Sequence, residues 1–313
     1  MKNKLIAYSF LLTFPVLQFW SCKKNGAPQT EKVYRFSETM TVDGRARTYT
    51  LNLPPDYYNG ADFSLVIALH GGGGDALQFE STSELTSKAN AAQFIVVYPE
   101  GVKSTGALAA RTWNAGGCCD YARDNNIDDV NFIRQLIDKL LAGYKINPKK
   151  IYSTGHSNGG MLAYRLACEI PNKIAAIAPN GCSMAVTQCN PSRPVPVLHM
   201  HSVLDTKVPY QGGSGSGIGT SGVYFPPIDS VLNAWSLKNT CITTAQVLIN
   251  NSNYRFTKWS DCNNSVTIQY YLTMDGGHGW PGGLPGGPIS DTPSVVINAN
   301  DLLWDFFQQY QLP

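Results

Sequence analysis

Charged residues are scarce in this chain of 313 residues, at 15% of the sequence, and the two signs nearly balance, with 24 Lys and Arg against 22 Asp and Glu. The positive excess that nucleic-acid-binding proteins carry is therefore missing. The chain is also more hydrophobic than disordered proteins are, because 43% of its residues are hydrophobic and 11% are aromatic. The composition predicts a folded protein with one large core and no nucleic-acid partner.

Acidic residues are absent from residues 1–21, where two lysines precede an apolar stretch at 5–20. This pattern is typical of an export signal, and the stretch is too short for a confident membrane span. Cys22 follows directly and precedes two more lysines, which resembles a bacterial lipoprotein signal with Cys22 as the lipid-attachment site. An ordinary secretory signal with an incidental cysteine is the alternative. We expect export, followed by lipid anchoring to the outer or cell-surface membrane, or by secretion.

None of the eight cysteines shows the spacing of a zinc site, so we expect no metal. Cysteines of exported proteins form disulfides, because the compartment is oxidising. With Cys22 set aside, an odd number remains, which cannot pair completely. We expect three bridges, namely Cys182–Cys189, Cys241–Cys262, and one that joins Cys168 to Cys118 or Cys119.

Short runs that are apolar on both faces recur along the chain, as buried parallel strands require. These runs span 65–69, 94–97, 150–154, 174–178 and 195–201. Helical stretches separate most of them, and the clearest covers 128–142, where apolar residues recur every three or four positions. Ahead of these elements, alternating runs at 34–42 and 47–53 flank an Asp43-Gly44 turn and predict an antiparallel hairpin.

Strands that alternate with helices predict an α/β fold, with a mostly parallel sheet, the antiparallel N-terminal hairpin and helices on both faces. No internal repeat is visible. We expect a signal peptide at 1–21, a polar tether at 22–31 and a single catalytic domain at 32–313. Two irregular segments, 102–126 and 211–220, interrupt the pattern, and such long loops are usually functional or mobile.

The motif Gly155-His156-Ser157-Asn158-Gly159 lies between a predicted strand and a helical stretch. A sharp strand-to-helix turn presents the central serine above the sheet, and small residues on both sides let the backbones pass closely. The N-terminus of the helix favours developing negative charge. The motif is common by chance, but in this context it indicates a nucleophile elbow with Ser157 as the nucleophile.

A serine hydroxyl needs a base to take its proton and a carboxylate to orient that base, in the chain order Ser, Asp or Glu, His. His278 lies in a glycine-rich loop after the last predicted strand and is the candidate base. Asp205 follows the strand at 195–201, where a triad carboxylate is expected. Asp229, near a predicted helix start, and Asp275, beside the histidine loop, are its rivals.

His199 and His201 alternate on one predicted strand and, together with Asp205, suggest a metal site. No third ligand motif accompanies them. Two buried, hydrogen-bonded histidines are therefore the better interpretation.

A run of four glycines, 71–74, follows His70 and an early predicted strand. Glycines there let backbone amides come close to a substrate. The amides of Gly72 and Asn158 are the expected donors of an oxyanion hole. A phosphate-binding loop is disfavoured, because no Lys-Ser or Lys-Thr follows the run.

Several motifs together resemble those of the secreted polyhydroxybutyrate depolymerase-like esterases, a group that includes feruloyl and acetylxylan esterases of carbohydrate esterase family 1. The motifs are His70-Gly-Gly-Gly-Gly74, Tyr98-Pro-Glu-Gly101, Thr112-Trp-Asn-Ala-Gly-Gly-Cys-Cys119, Asp128-Asp-Val130, Gly155-His-Ser-Asn-Gly-Gly160, Tyr164-Arg-Leu-Ala-Cys168, Val208-Pro-Tyr210 and Gly276-Gly-His-Gly-Trp-Pro-Gly282. The resemblance implies an α/β-hydrolase fold, no metal or organic cofactor, and a triad of Ser157, Asp205 and His278. The chain departs from the family at Ser202-Val203, where Gly-Thr is usual, and in an enlarged glycine-rich loop from Gln211.

The resemblance further implies a serine carboxylic-ester hydrolase that acts through an acyl-enzyme, on feruloyl or acetyl esters of plant polysaccharide. Trp113 and Trp280 are candidate contacts for a flat acyl group, with packing as the other interpretation. A polyester depolymerase or a serine peptidase of the same fold is the alternative, because fold and triad do not separate these activities. A non-catalytic surface-binding lipoprotein is a third hypothesis.

Overall fold

The computed structural model describes residues 32–216, 219–286 and 290–313, and residues 33–313 form one compact unit. The expected signal peptide, the tether and Cys22 lie outside the described residues. The strands are β1 (Arg35–Val42), β2 (Arg45–Asn52), β3 (Phe63–Leu69), β4 (Ile95–Pro99), β5 (Val102–Lys103), β6 (Arg111–Thr112), β7 (Ile146–His156), β8 (Ala176–Asn180), β9 (Val197–Ser202), β10 (Gly213–Ser214), β11 (Tyr224–Phe225), β12 (Gln246–Asn250), β13 (Tyr254–Trp259) and β14 (Ile268–Thr273). The helices are α1 (Ala76–Ser83), α2 (Leu85–Ala92), α3 (Asp120–Asp124), α4 (Asp129–Gly143), α5 (Asn158–Glu169), α6 (Ile228–Lys238) and α7 (Ala299–Phe307).

Ten strands form one sheet in the order β1-β2-β4-β3-β7-β8-β9-β14-β13-β12. The six central strands, from β4 to β14, run parallel, with antiparallel pairs at both edges. The predicted fold class and N-terminal hairpin are confirmed. The second edge pair, β12 and β13, was not predicted.

Both faces of the sheet are covered because the central strands are apolar on both sides. In β3, Leu65, Ile67 and Leu69 face one core and Val66 and Ala68 face the other, as the two-residue period of a strand requires. Helices α4, α5 and α6 cover the first face, and α1, α2 and α7 cover the second. In the described ranges, no helix is long and apolar enough to cross a membrane.

Helix α4 closely matches its predicted bounds, and its apolar stripe is buried against the sheet. The Asp128 carboxylate accepts the amide of Asn131 at 2.8 Å and caps the helix. The segment 102–126, predicted to be irregular, contains some regular structure, namely the short β5–β6 pair and α3.

The disulfides correct two of the three expected bridges. Cys241 pairs with Cys262 as expected, but Cys168 pairs with Cys189, and Cys118 pairs with Cys119. The expected Cys182–Cys189 and Cys119–Cys168 bridges are therefore wrong.

Cys182 is a buried free thiol, and its position in the fold explains why it does not pair with Cys189. It follows β8 and packs against the start of α5, so that a Cβ atom on Gly160 would lie 2.7 Å from its sulfur. Cys168, on the last turn of α5, is instead the spatial neighbour of Cys189. Closeness along the chain did not predict closeness in space.

Loss of the Cys241–Cys262 bridge should lower the melting temperature. The two cysteines are 21 residues apart, and a loop of this length gives about 3 kcal/mol of stabilisation in the chain-entropy model. We expect Cys241→Ser to lower Tm in thermal unfolding by several degrees. The double variant with Cys262→Ser should lose no more, because either change removes the same bridge. A single variant that melts at the wild-type temperature would contradict the stabilising role.

Candidate active site

Ser157 lies between β7 and α5, in a backbone conformation that side chains rarely adopt (φ 54°, ψ −122°). Such strain costs on the order of 1–3 kcal/mol and persists only where the surroundings impose it. Two glycines make the turn possible. A Cβ at Gly155 would lie 2.8 Å from the Leu69 carbonyl oxygen, and one at Gly159 would lie 2.5 Å from that of His70. The elbow thus depends on close contact with the end of β3.

The ring of His278 contacts the carboxylate of Asp205, with Nδ1 2.7 Å from Oδ2. Asp205 is 4% exposed, and its other oxygen accepts the amides of Lys207 and Val208, each at 2.9 Å. Burial alone would raise the pKa of Asp205, but the charge of His278 and hydrogen bonds from His201 and His278 outweigh it and lower the pKa. The carboxylate is therefore ionised and fixed in orientation.

Ser157 and His278 line one cleft of about 420 Å³, together with the glycine run 71–74. No hydrogen bond joins the Ser157 hydroxyl to the His278 ring within the described ranges. A nucleophile and its base are often farther apart before substrate binds. The cleft therefore holds a strained serine, an imidazole bound to a carboxylate and a set of backbone amides.

The amides of Gly72 and Asn158 have no acceptor among the hydrogen bonds of the described residues, whereas Gly73 donates to Arg111 O at 2.8 Å and Gly74 to Gly71 O at 3.1 Å. Asn158 is the first residue of α5, where helical amides lack partners. These two amides are thus free to bind an oxyanion, and that role stays a prediction.

The rivals of Asp205 are engaged elsewhere. Asp229 is in the first turn of α6 and pairs with Arg255 at 3.1 Å. Asp275 accepts the Ser294 hydroxyl at 2.5 Å and the Val295 amide at 2.9 Å. Neither carboxylate contacts the His278 ring.

The two tryptophans expected to contact substrate are structural. Trp113 is fully buried, outside the residues that line the cleft, and its indole N–H donates to His70 O at 2.9 Å. Trp280 borders the cleft but is only 3% exposed, because its indole N–H donates to Asn300 Oδ1 at 3.0 Å and its ring packs edge-on against Phe79. Of the two interpretations of Trp280, a contact for a flat acyl group or packing, its burial favours packing.

Trp113 has a positioning role that the sequence did not reveal. The Asn158 side chain accepts the Trp113 amide at 2.7 Å and donates to the Trp113 carbonyl at 2.9 Å. This double hydrogen bond ties the irregular segment 102–126 to the start of α5.

Of the other four histidines, His70, His199 and His201 are buried and His156 is partly buried. Burial lowers the pKa of His70 to about 4, and burial together with the charge of His278 lowers that of His156 to about 3. His199 Nε2 lies 3.2 Å from His201 Nδ1, and the Tyr164 hydroxyl lies 2.9 Å from the other nitrogen of His199. No group of three or more side chains suited to a metal occurs in the described part of the chain.

Asp291 is a further residue at the site that the sequence analysis missed. Its carboxylate accepts the backbone amide of His278 at 2.8 Å and lies 3.7 Å from the ammonium group of Lys207. It thereby joins the loop that carries His278 to the loop that carries Asp205. No motif marked this residue, since it lies 13 positions after His278.

Residues 47–189 match the family described as Esterase PHB depolymerase. The chain is 26% identical to feruloyl esterase B of Piromyces equi, over 85% of this chain and 46% of that protein. It is 28% identical to the bifunctional acetylxylan esterase/xylanase XynS20E of Neocallimastix patriciarum, over 79% of this chain and 31% of that protein. The chain thus spans less than half the length of these two relatives.

The fold of the chain matches that of an acetyl xylan esterase from Aspergillus awamori, with a TM-score of 0.61 over 88% of this chain and 98% of that chain. At 16% identity this likeness shows the fold alone. The predicted α/β-hydrolase fold and the predicted family resemblance are confirmed.

Replacement of Asp291 should impair the site without unfolding the chain. Asp291→Ala removes the acceptor of the His278 amide, and we expect kcat for nitrophenyl acetate to fall about tenfold or more, because small displacements of a base are costly. Asp291→Asn keeps a carbonyl oxygen and should retain most of the activity. Asp229→Ala, which removes an exposed carboxylate outside the cleft, is the control. An equal loss in the Ala and Asn variants would refute the acceptor role.

Proposed function

We propose that this chain is an exported serine carboxylic-ester hydrolase that acts through an acyl-enzyme. The observation that carries the proposal is the cleft that brings Ser157 on its strained turn together with the Asp205–His278 pair. The esterase family of residues 47–189 supports the same reaction class. A non-catalytic binding protein would have no use for the strained serine and the hydrogen-bonded Asp205–His278 pair together.

In the proposed reaction, the Ser157 hydroxyl attacks the ester carbonyl while His278 accepts its proton. The carboxylate of Asp205 holds the ring in the tautomer that leaves the other nitrogen free to act as base. The amides of Gly72 and Asn158 stabilise the oxyanion. His278 then returns the proton to the leaving alcohol, and water repeats the sequence on the acyl-enzyme.

For the substrate we propose feruloyl or acetyl esters of plant polysaccharide. The named activities of the two relatives, a feruloyl esterase and an acetylxylan esterase, support this class. The cleft is bordered by backbone amides and a few apolar side chains, of which Leu284 is half exposed. A polyester depolymerase is the second candidate, because the matched family is named for that activity.

Export is proposed from residues 1–21 and lipid anchoring from Cys22. An enzyme that acts on polymers too large to import must work outside the cell. The three disulfides among the described residues agree with an oxidising compartment.

The triad assignment is tested by single substitutions. Ser157→Ala, Asp205→Asn and His278→Ala should each reduce kcat for nitrophenyl acetate by several orders of magnitude, because triad members act as a unit. Circular dichroism should show folded protein in each case. Asp229→Asn, the matched control, should leave the rate unchanged. The assignment of the acid would be refuted if Asp229→Asn lowered kcat and Asp205→Asn left it near the wild-type value.

Leu284 should distinguish acyl groups. If a phenolic ring packs on it, Leu284→Ala removes an apolar contact worth about 1 kcal/mol and raises KM for methyl ferulate about fivefold. Nitrophenyl acetate, whose acetyl group presents only a methyl, should change less. Leu248→Ala, on the exposed strand β12, controls for loss of surface leucine. Equal increases in KM for both esters would count against the feruloyl assignment. A peptide substrate that is cleaved faster than either ester would also count against it.

A further inference from the structure

A second cavity of about 400 Å³ lies at the same edge of the sheet as Ser157 but shares no residue with its cleft. Its lining includes the start of β2, the residues after β4, and the short β5–β6 pair. We call it the cationic cavity and define it by Arg45, Arg47, Glu100, Lys103, Arg111 and Tyr121.

The charges around the cationic cavity do not balance. Arg47 is buried and pairs with Asp129 at 2.6 Å, and Arg111 pairs with Glu100 at 2.7 Å. Arg45 and Lys103 form no salt bridge among the described residues, although the charge of Lys103 acts on the Glu100 carboxylate. Two positive charges therefore remain in excess, in a chain whose two signs are otherwise nearly equal in number.

The donors of this cavity are arranged in part by the fold. Glu100 is held on its inner side, because Oε1 accepts the Ala76 amide at 3.1 Å and Oε2 contacts Arg111. Arg111 also donates through Nη1 to the Gly101 carbonyl at 2.9 Å, which fixes its guanidinium and leaves Nη2 without a partner in the described structure. A fixed arginine flanked by two unpaired cations is suited to a carboxylate.

The position of the cavity connects it to the proposed reaction. Arg45 starts β2, and three strand spacings of about 4.8 Å, roughly 14 Å in all, separate β2 from β7, the strand that leads to Ser157. A polysaccharide bound at the cleft can extend that far. A cavity of this volume also lies in the size range of small-ligand sites.

We propose that the cationic cavity binds the carboxylate of an acidic sugar residue on the polysaccharide substrate. The nature of the polymer in this proposal rests on the proposed function. The negative charge of the ligand is inferred from the positive charges of Arg45, Lys103 and Arg111. The side chain of Tyr121 adds an aromatic surface at the rim for the sugar ring.

The test is calorimetric titration of the full chain with D-glucuronate, with D-glucose as the neutral probe. Glucuronate should bind saturably, glucose should not, and the affinity should fall as salt is added. Arg45→Gln and Lys103→Gln should each weaken glucuronate binding about tenfold, the typical loss for one charge-assisted hydrogen bond. Lys149→Gln, which removes an exposed cation near the opposite end of β7, is the matched control and should change nothing.

Three results would overturn the proposal: no saturable glucuronate binding, equal binding in the Arg45→Gln and Lys149→Gln variants, or inorganic phosphate bound more tightly than glucuronate. The last result would identify a general anion site. Because the titration requires no catalysis, a chain that binds glucuronate but hydrolyses no ester would refute the proposed function and leave the cavity assignment intact.

Discussion

The close approach of the elbow to the end of β3 is the constraint on which the rest of the site depends. Gly155 and Gly159 pass the carbonyls of Leu69 and His70 at distances that no side chain would allow. This contact holds Ser157 in its strained conformation and sets the glycine run 71–74 beside it. Ser157 and the amides proposed as oxyanion donors are thus positioned by the same contact between neighbouring strands.

A second set of contacts fixes Asp205 and His278, the proposed acid and base. The loops after β9 and β14 meet through the Asp205–His278 hydrogen bond, and Asp291 joins them again through the His278 backbone. Because β9 and β14 are adjacent and parallel, both loops emerge at the same edge of the sheet. The geometry of the proposed triad follows from strand order as much as from the loops.

Much of this arrangement could be predicted from the sequence, because it depends on local patterns. Buried parallel strands have continuous apolar runs, and the elbow has a glycine-flanked serine between a strand and a helix. Asp205 and His278 could be proposed from chain order and from their positions after strands. Each of these signals lies within a few residues of the feature it predicts.

The failures concern contacts between distant segments. The pairing of Cys168 with Cys189, the burial of Trp280 against Phe79, and the hydrogen bond from His278 to Asp291 depend on which segments the fold brings together. Glycine and proline around Trp280 described the loop backbone but gave no information on the Asn300 acceptor that makes burial favourable.

Strand β12 carries a separate consequence for the behaviour of the protein in solution. It is an exposed edge strand whose sequence includes Val247, Leu248 and Ile249, a combination that invites strand pairing between molecules. Its register with β13 is interrupted between Val247 and Ile249. An irregularity of this kind twists an edge strand, so that a strand of another molecule pairs with it poorly. The interrupted register of β12 therefore protects the sheet against aggregation at this exposed edge.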